Sequence, residues 1–378
     1  MRSRLAYIYY DLGRYRLAAQ HQKPAYRIYT EHLGENHAKT NIALNWLAVY
    51  YYHGGMYREA EPLYKQVIEK ALQHKTGPLV DYKHVWNANL ATTYAGLGRY
   101  QEAEDLLCES MDHFRRVRVG GSPGIGVWGY GLHLGEVYRE QGKYEQAGRV
   151  LLESLDAGHK EKEENKNVQF YNCMGRCMHE LGLLRLAQGD YKKAEELFEQ
   201  GIEFSADKLP GKDHPVTLRH VNGLAIICIK QQLYEKAETL LERALAGQEL
   251  KLGPDHPDVL KTINDFGILY REQGQYDKAE NFLTKARRKR QTILGEDHPH
   301  TLQTMHELAV LYKEQGHYDK AEPLLIEAID GRRLKLGDTH PHTLESMNNL
   351  IDLYEAWKKP EKANEWRTKL LQIEALTE

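Results

Sequence analysis

The sequence predicts an all-α fold, a solenoid of about nine helix hairpins. Three observations lead there. A phrase of Leu-Ala, Tyr, Gly, Tyr and Ala-Glu returns about every 42 residues. Within each copy the apolar residues fall three and four apart, as in Ile263, Phe266, Leu269 and Tyr270, which places them on one helix face. Gly or Gly-His-Pro punctuation recurs between those runs. Self-similarity at a period of a few tens of residues marks stacked repeats, each unable to bury its apolar face alone.

The first Leu-like residue of each copy stands at Leu5, Leu47, Leu90, Leu134, Leu181, Leu224, Phe266, Leu308 and Leu350. The spacings are 42, 43, 44, 47, 43, 42, 42 and 42. The Ala of Ala-Glu is kept in all nine: Ala18, Ala60, Ala103, Ala147, Ala194, Ala237, Ala279, Ala321 and Ala363. The Tyr three residues before it is kept in eight, and Pro360 replaces it in the ninth. The chain divides accordingly into one array, 1–378, with copies at 1–36, 37–78, 79–121, 122–166, 167–213, 214–255, 256–297, 298–339 and 340–378.

In each copy the first helix ends at a Gly such as Gly13, Gly55, Gly98, Gly274 or Gly316, which tolerates the left-handed cap. Gln232 and Lys358 replace it in two copies, so those turns are expected to be less well capped. The second helix starts near the Tyr and carries Ala279, Leu283 and Ala286 on one side. Small residues there let two helix backbones approach closely. The links read Leu252 to Pro257, Leu294 to Pro299 and Leu336 to Pro341, with a weaker form at Leu209 to Pro215. Gly stops one pair and His-Pro starts the next, because Pro pre-sets the first helical residue.

The link Leu294 to Pro299 and the turn Gln273 to Glu280 resemble the 42-residue, kinesin-light-chain-like form of the tetratricopeptide repeat. The resemblance covers essentially the whole chain. It implies a right-handed superhelix of hairpins that binds a peptide or a protein surface. Lys359 to Ala363 also resembles the repeat tails of bacterial multidomain signalling proteins such as Ser/Thr kinases.

Net charge is −3 and the pI is about 6.7, which argues against nucleic acid as the partner. Four Cys in 378 residues make no disulfide framework and point to a reducing, cytoplasmic setting. No apolar run is long enough to span a membrane. The first helix reads as short and uncapped, and Trp357 and Trp366 lie near the other end without a polar capping helix. A segment of a larger protein, or self-association through those ends, is the expectation.

The first helices are expected to build the inner face of the stack. Two residues before each Leu, the chain has Asn45, Ala88, Leu132, His179, Asn222, Asn264, His306 and Asn348. Six of the eight both donate and accept hydrogen bonds, which suits the backbone of an extended peptide. The resemblance implies the same role for the Asn residues, and solvation of a helix face is the alternative. The same face carries Arg176, Arg219 and Lys261, then Arg139, Lys230, Arg271 and Lys313, with Glu140, Glu272, Glu314 and Glu345 interleaved. A stripe for an acidic ligand and ordinary solvated charge are both consistent with that mixture. Tyr10 and Tyr52 fall at groove-facing positions among many aromatics, as a pocket or as core.

Other motifs read as structural. Gly124 to Gly129 matches GxGxxG, but no strand precedes it, so a flexible link is expected and not a nucleotide site. Cys173 and Cys177 lack a second ligand pair and read as buried thiols, with no metal. His214, His256, His298 and His340 sit at helix starts and read as caps. The basic run Lys285 to Arg290 reads as a solvated outer face. No nucleophile-base pair or Walker motif is evident, so no enzyme and no cofactor is expected. The reading is a non-catalytic scaffold that binds a peptide or protein in the groove. The alternatives are a sensor segment of a larger signalling protein and, disfavoured by period and charge, an RNA-reading repeat.

Overall fold

The computed structural model describes residues 2–73, 83–117, 127–161, 167–211 and 213–375. Among them it is all-helical, with 18 helices in successive hairpins, an α-solenoid of the expected class. The helices are α1 (Arg2–Asp11), α2 (Tyr15–Leu33), α3 (Ala38–His53), α4 (Tyr57–Gln73), α5 (Lys83–Gly96) and α6 (Tyr100–Val117). There follow α7 (Val127–Glu140), α8 (Tyr144–His159), α9 (Val168–Ala187), α10 (Tyr191–Lys208), α11 (Pro215–Lys230) and α12 (Tyr234–Leu252). The last are α13 (Pro257–Glu272), α14 (Tyr276–Ile293), α15 (Pro299–Glu314), α16 (Tyr318–Leu336), α17 (Pro341–Ala356) and α18 (Pro360–Glu374). The chain forms two compact units, one of Met1–Ile227 with Glu242–His256, the other of Cys228–Leu241 with Pro257–Glu378.

The second unit shows what the repeated phrase does. Ala279, Ala321 and Ala363 are essentially fully buried. A Cβ added at Gly267 would lie 2.5 Å from Cγ of Leu283, so α13 and α14 touch through a residue without a side chain. The conserved Tyr and Glu form a clasp between hairpins. Tyr270 donates to Glu238 at 2.7 Å, Tyr312 to Glu280 at 2.7 Å and Tyr354 to Glu322 at 2.6 Å. Lys278, Lys320 and Lys362 lie over those three rings at 4.9, 5.2 and 5.2 Å, a cation–π contact that repeats with the period.

The links are fastened from within. Nδ1 of His298 accepts from the His300 N–H at 3.1 Å, and Nδ1 of His340 from the His342 N–H at 3.1 Å. An imidazole thus takes the place of the usual Ser or Asp as helix N-cap. Thr301 donates back to the Gly295 carbonyl and Thr343 to the Gly337 carbonyl, at 2.8 and 2.9 Å. Gly295 and Gly337 hold φ of 111° and 97°, a region that L side chains avoid.

Gln232 and Lys358 adopt the left-handed conformation too, at φ 61° and 58°. Their closing bonds, Leu233 N–H to Cys228 O and Lys359 N–H to Tyr354 O, are both 2.8 Å, the same as Gln275 N–H to Tyr270 O beside Gly274. The turns are therefore as well bonded as the glycine turns, and the difference lies in the strain a side chain brings to the left-handed conformation.

The basic run in α14 departs from its expected exposure. Arg290 is buried and donates to the His300 carbonyl at 2.8 Å and to Thr304 at 2.6 Å. Arg332, one repeat on in α16, does the same to His342 and Ser346, at 2.6 Å each. A guanidinium near the C-terminal end of α14 and of α16 thus ties it to the first helix that follows, while Lys285 and Arg288 remain exposed.

The first unit is held by the same small-residue contacts, with Ala18, Ala60, Ala103, Ala147 and Ala194 fully buried. It also contains contacts between its first and last parts. Pro215 stands where a Gly13 side chain would begin, 2.7 Å from an added Cβ. Leu252 packs in one cluster with Ala6, Tyr10, Tyr15 and Tyr50. His256 donates from Nε2 to the His53 carbonyl at 2.9 Å, and Arg16 reaches Asp255 at 4.0 Å.

Two stability outcomes are expected. Ala279→Leu overpacks the α13–α14 contact and lowers stability by about 1–3 kcal/mol in urea denaturation. Lys358→Gly removes left-handed strain of roughly 1–2 kcal/mol, partly offset by glycine's own entropy, and raises the melting midpoint.

Candidate functional site

In the second unit the first helices α13, α15 and α17 carry one polar row. Arg271 pairs with Glu272 at 2.8 Å, with Glu307 on the next first helix at 3.0 Å and with Glu314 at 3.7 Å. Lys313 donates to Asn349 at 2.8 Å, and His306 meets Ser346 at 2.9 Å. Lys261 pairs within its own helix with Asp265 at 2.9 Å. Asn264 is buried, and its Oδ1 has no hydrogen-bond partner. Asn348 is exposed and donates to the Leu344 carbonyl at 3.1 Å. The expected cations are thus tied to carboxylates or amides of their own row, which leaves a mixed polar strip with no strongly basic stripe.

Burial sets the charge states there. It pushes His306 down to about 3, with Arg332 adding to the effect. It pushes the Glu307 carboxyl up, opposed by Arg271. Burial also lowers Lys313, although Asp352 pulls the other way.

In the first unit the corresponding positions are mostly interior. His179 and Asn222 are buried, as are Ala88 and Leu132 at the same register. His179 packs on Phe198 at 5.4 Å and His220 at 5.3 Å between ring centroids. Arg219 is half-buried. Arg176, 6 % exposed, pairs with Glu136 at 3.1 Å, and Arg139 pairs with Glu180 at 2.8 Å. Cys177 is buried and its thiol donates to the Leu151 carbonyl at 3.3 Å. Among the described residues no group of three His, Cys, Asp or Glu is placed to hold a metal. Of the GxGxxG string, Gly124, Ile125 and Gly126 lie outside the described residues.

Asn45, Arg176, Tyr10 and Tyr52 meet at a cavity of about 290 Å³ in this unit. Trp46, Tyr64, Trp86 and Tyr130 supply aromatic wall, and Asn89, Asn172, His53, His133 and Cys173 supply polar wall. The Tyr10 hydroxyl and Nε2 of His53 are hydrogen-bonded at 3.3 Å. Burial holds His53 and His133 below the ordinary histidine range, and Arg176 adds to it in both. Burial would raise the Glu136 carboxyl, but Arg176 and His133 beside it hold it well below its usual range. The aromatic positions Tyr10 and Tyr52 were visible from register. His53, His133 and Asn172 were not, because none recurs with the period.

These hairpins, with their small-residue seams and His-Pro links, define a helical-repeat protein built to present side chains along a stacked face. The tetratricopeptide repeat model matches residues 1–73, 127–207, 174–248 and 216–292, and a second tetratricopeptide repeat model matches 88–117 and 301–342. The chain belongs to the tetratricopeptide repeat family. Among solved structures it is similar to NprR in complex with its cognate peptide NprX, with a TM-score of 0.64 and 14% identity over 93% of this chain and 94% of that one. It is also similar to a Rap protein complexed with competence and sporulation factor, with a TM-score of 0.59 and 12% identity over 89% and 98%. A putative kinesin light chain repeat protein of Podosopora anserina matches at 29% identity over 53% and 95%, with a TM-score of 0.42. No curated protein matches the chain. No helix among the described residues is long and apolar enough to cross a membrane.

The buried histidines give a pH signature. His214, His220 and His306 sit at about 3, 4 and 3 in the folded chain, with burial the leading cause in each. Between those values and the unfolded value near 6.5, the unfolded chain binds protons that the folded chain does not. Stability is then full above about pH 6.5 and falls as pH drops. Each histidine contributes about 1.4 kcal/mol per pH unit. Urea midpoints at pH 7.5 and 5 should show the decline, and His306→Gln should flatten it.

Proposed function

We propose that the chain is a non-catalytic interaction scaffold, cytoplasmic, whose nine copies act as one array and whose polar inner row receives a peptide or protein partner. The observation that carries this reading is the row on α13, α15 and α17, where the buried Oδ1 of Asn264 has no partner beside half-exposed Lys261 and Lys313. A peptide N–H supplies the missing donor, and the flanking charges select the sequence. In the first unit the corresponding candidates are Asn45, His179, Asn222, Arg176 and Arg219. There an extended ligand has less room, since the Gly13–Pro215 and His53–His256 contacts join its first and last parts. The tightest case for a peptide is therefore in the second unit, at Asn264, His306, Asn348, Lys261, Arg271 and Lys313. The likeness to NprR with a peptide bound is consistent with that class of partner.

A phage-displayed random peptide library panned on the whole chain tests the reading. Selected peptides are expected to lose about ten-fold in affinity against Asn264→Ala, with the melting curve retained. Failure to select any peptide above background, or equal affinity for the variant, counts against it.

A further inference from the structure

We propose that the cavity of the first unit is a binding site for one small, uncharged aromatic amide, a planar ring joined to adjacent N–H and C=O groups. This goes beyond the scaffold reading: it shares Asn45 and Arg176 with the first-unit candidates but uses none of the second-unit row that carries that reading.

Size sets the first limit. At about 290 Å³ the space lies at the lower edge of the roughly 300–1,000 Å³ usual for small-molecule sites, so it fits a single compact group and not a length of chain. Ile42, one of its wall residues, is 40% exposed. The walls set the second limit. Trp46, Trp86, Tyr52 and Tyr130 line it, and aromatic walls favour a planar apolar partner.

The polar atoms set the third. Oδ1 of Asn45 and Nε of Arg176 are both buried without a hydrogen-bond partner. One accepts and the other donates, so a matching ligand has both an N–H and a carbonyl oxygen. A buried polar atom left unpaired costs about 1–3 kcal/mol, which a ligand with that pair of groups recovers. A carboxylate is disfavoured, because Glu136 already occupies Arg176 at 3.1 Å and would repel it. A cation is disfavoured by the same guanidinium. The ring-plus-amide chemistry has two sources, a free small molecule or one aromatic residue of a peptide.

The test is isothermal titration calorimetry of the full chain with N-acetyl-L-phenylalaninamide, alongside the fluorescence of Trp46 and Trp86 on the cavity wall. Binding is expected, at least ten-fold tighter than for N-acetyl-L-alaninamide or toluene, which lack the ring and the amide respectively. Asn45→Leu and Val49→Phe, the latter at another wall residue, are checked for helix content and should each weaken it at least ten-fold, and Asn89→Leu replaces either variant that fails to fold. No binding to the wild-type chain, equal affinity for the alanine amide, or affinity unchanged in the folded variants overturns the proposal. A hexapeptide with phenylalanine inside it separates the sources. Binding comparable to that of the free amide supports the site and assigns it to a peptide residue, whereas exclusion of the peptide supports it and assigns it to a free small molecule.

Discussion

Everything in this fold depends on two helix backbones coming close at a residue too small to hold them apart. Ala279 and Gly267 meet the partner helix with no more than a methyl group, and Leu283 fills the space beside them. Interiors packed to crystal density leave no slack for a larger side chain. Once the pair is closed, its outer edges fall into a fixed register. Tyr270 then meets Glu238, Tyr312 meets Glu280 and Tyr354 meets Glu322. The polar clasp is a consequence of the apolar seam, because a phenol can reach a carboxylate at 2.7 Å only when the backbones beneath are already in place.

The parts legible in the sequence are those that repeat. The Ala of Ala-Glu appears nine times, the Tyr before it eight times and the Gly-His-Pro link four times, and each has a local role that the spacing exposes. Arg290 was misread as surface because its neighbours Arg287 to Lys289 are basic, and its burial rests on the His300 carbonyl ten residues on. The available signal was its recurrence as Arg332, with Gln248 at the same register. Gln232 and Lys358 were read as weak turns from residue type. Residue type sets the strain, whereas the backbone bonds are made by groups every residue has.

Site residues were less legible, for a physical reason. Register placed the first-helix cations in one row, but register does not show what neutralises them. Arg271 is balanced by Glu307 from the next hairpin, and Arg176 by Glu136 from the preceding one. The contact of His256 with His53 joins residues 203 apart and belongs to no periodic pattern. A repeat read from one sequence describes neighbours well and distant meetings poorly.

The joint between hairpins has a further consequence. In the stretches Gly295 to Thr301 and Gly337 to Thr343, the histidine caps and the threonine bonds begin and end inside the same seven residues. Apart from the guanidinium of the helix just before it, such a joint needs no matching surface elsewhere. A gene segment running from one proline to the next can be duplicated or deleted, and both new junctions arrive with their own hardware. Lineages carrying this joint are free to vary the length of the stack by whole modules long before any side chain on its face has to change.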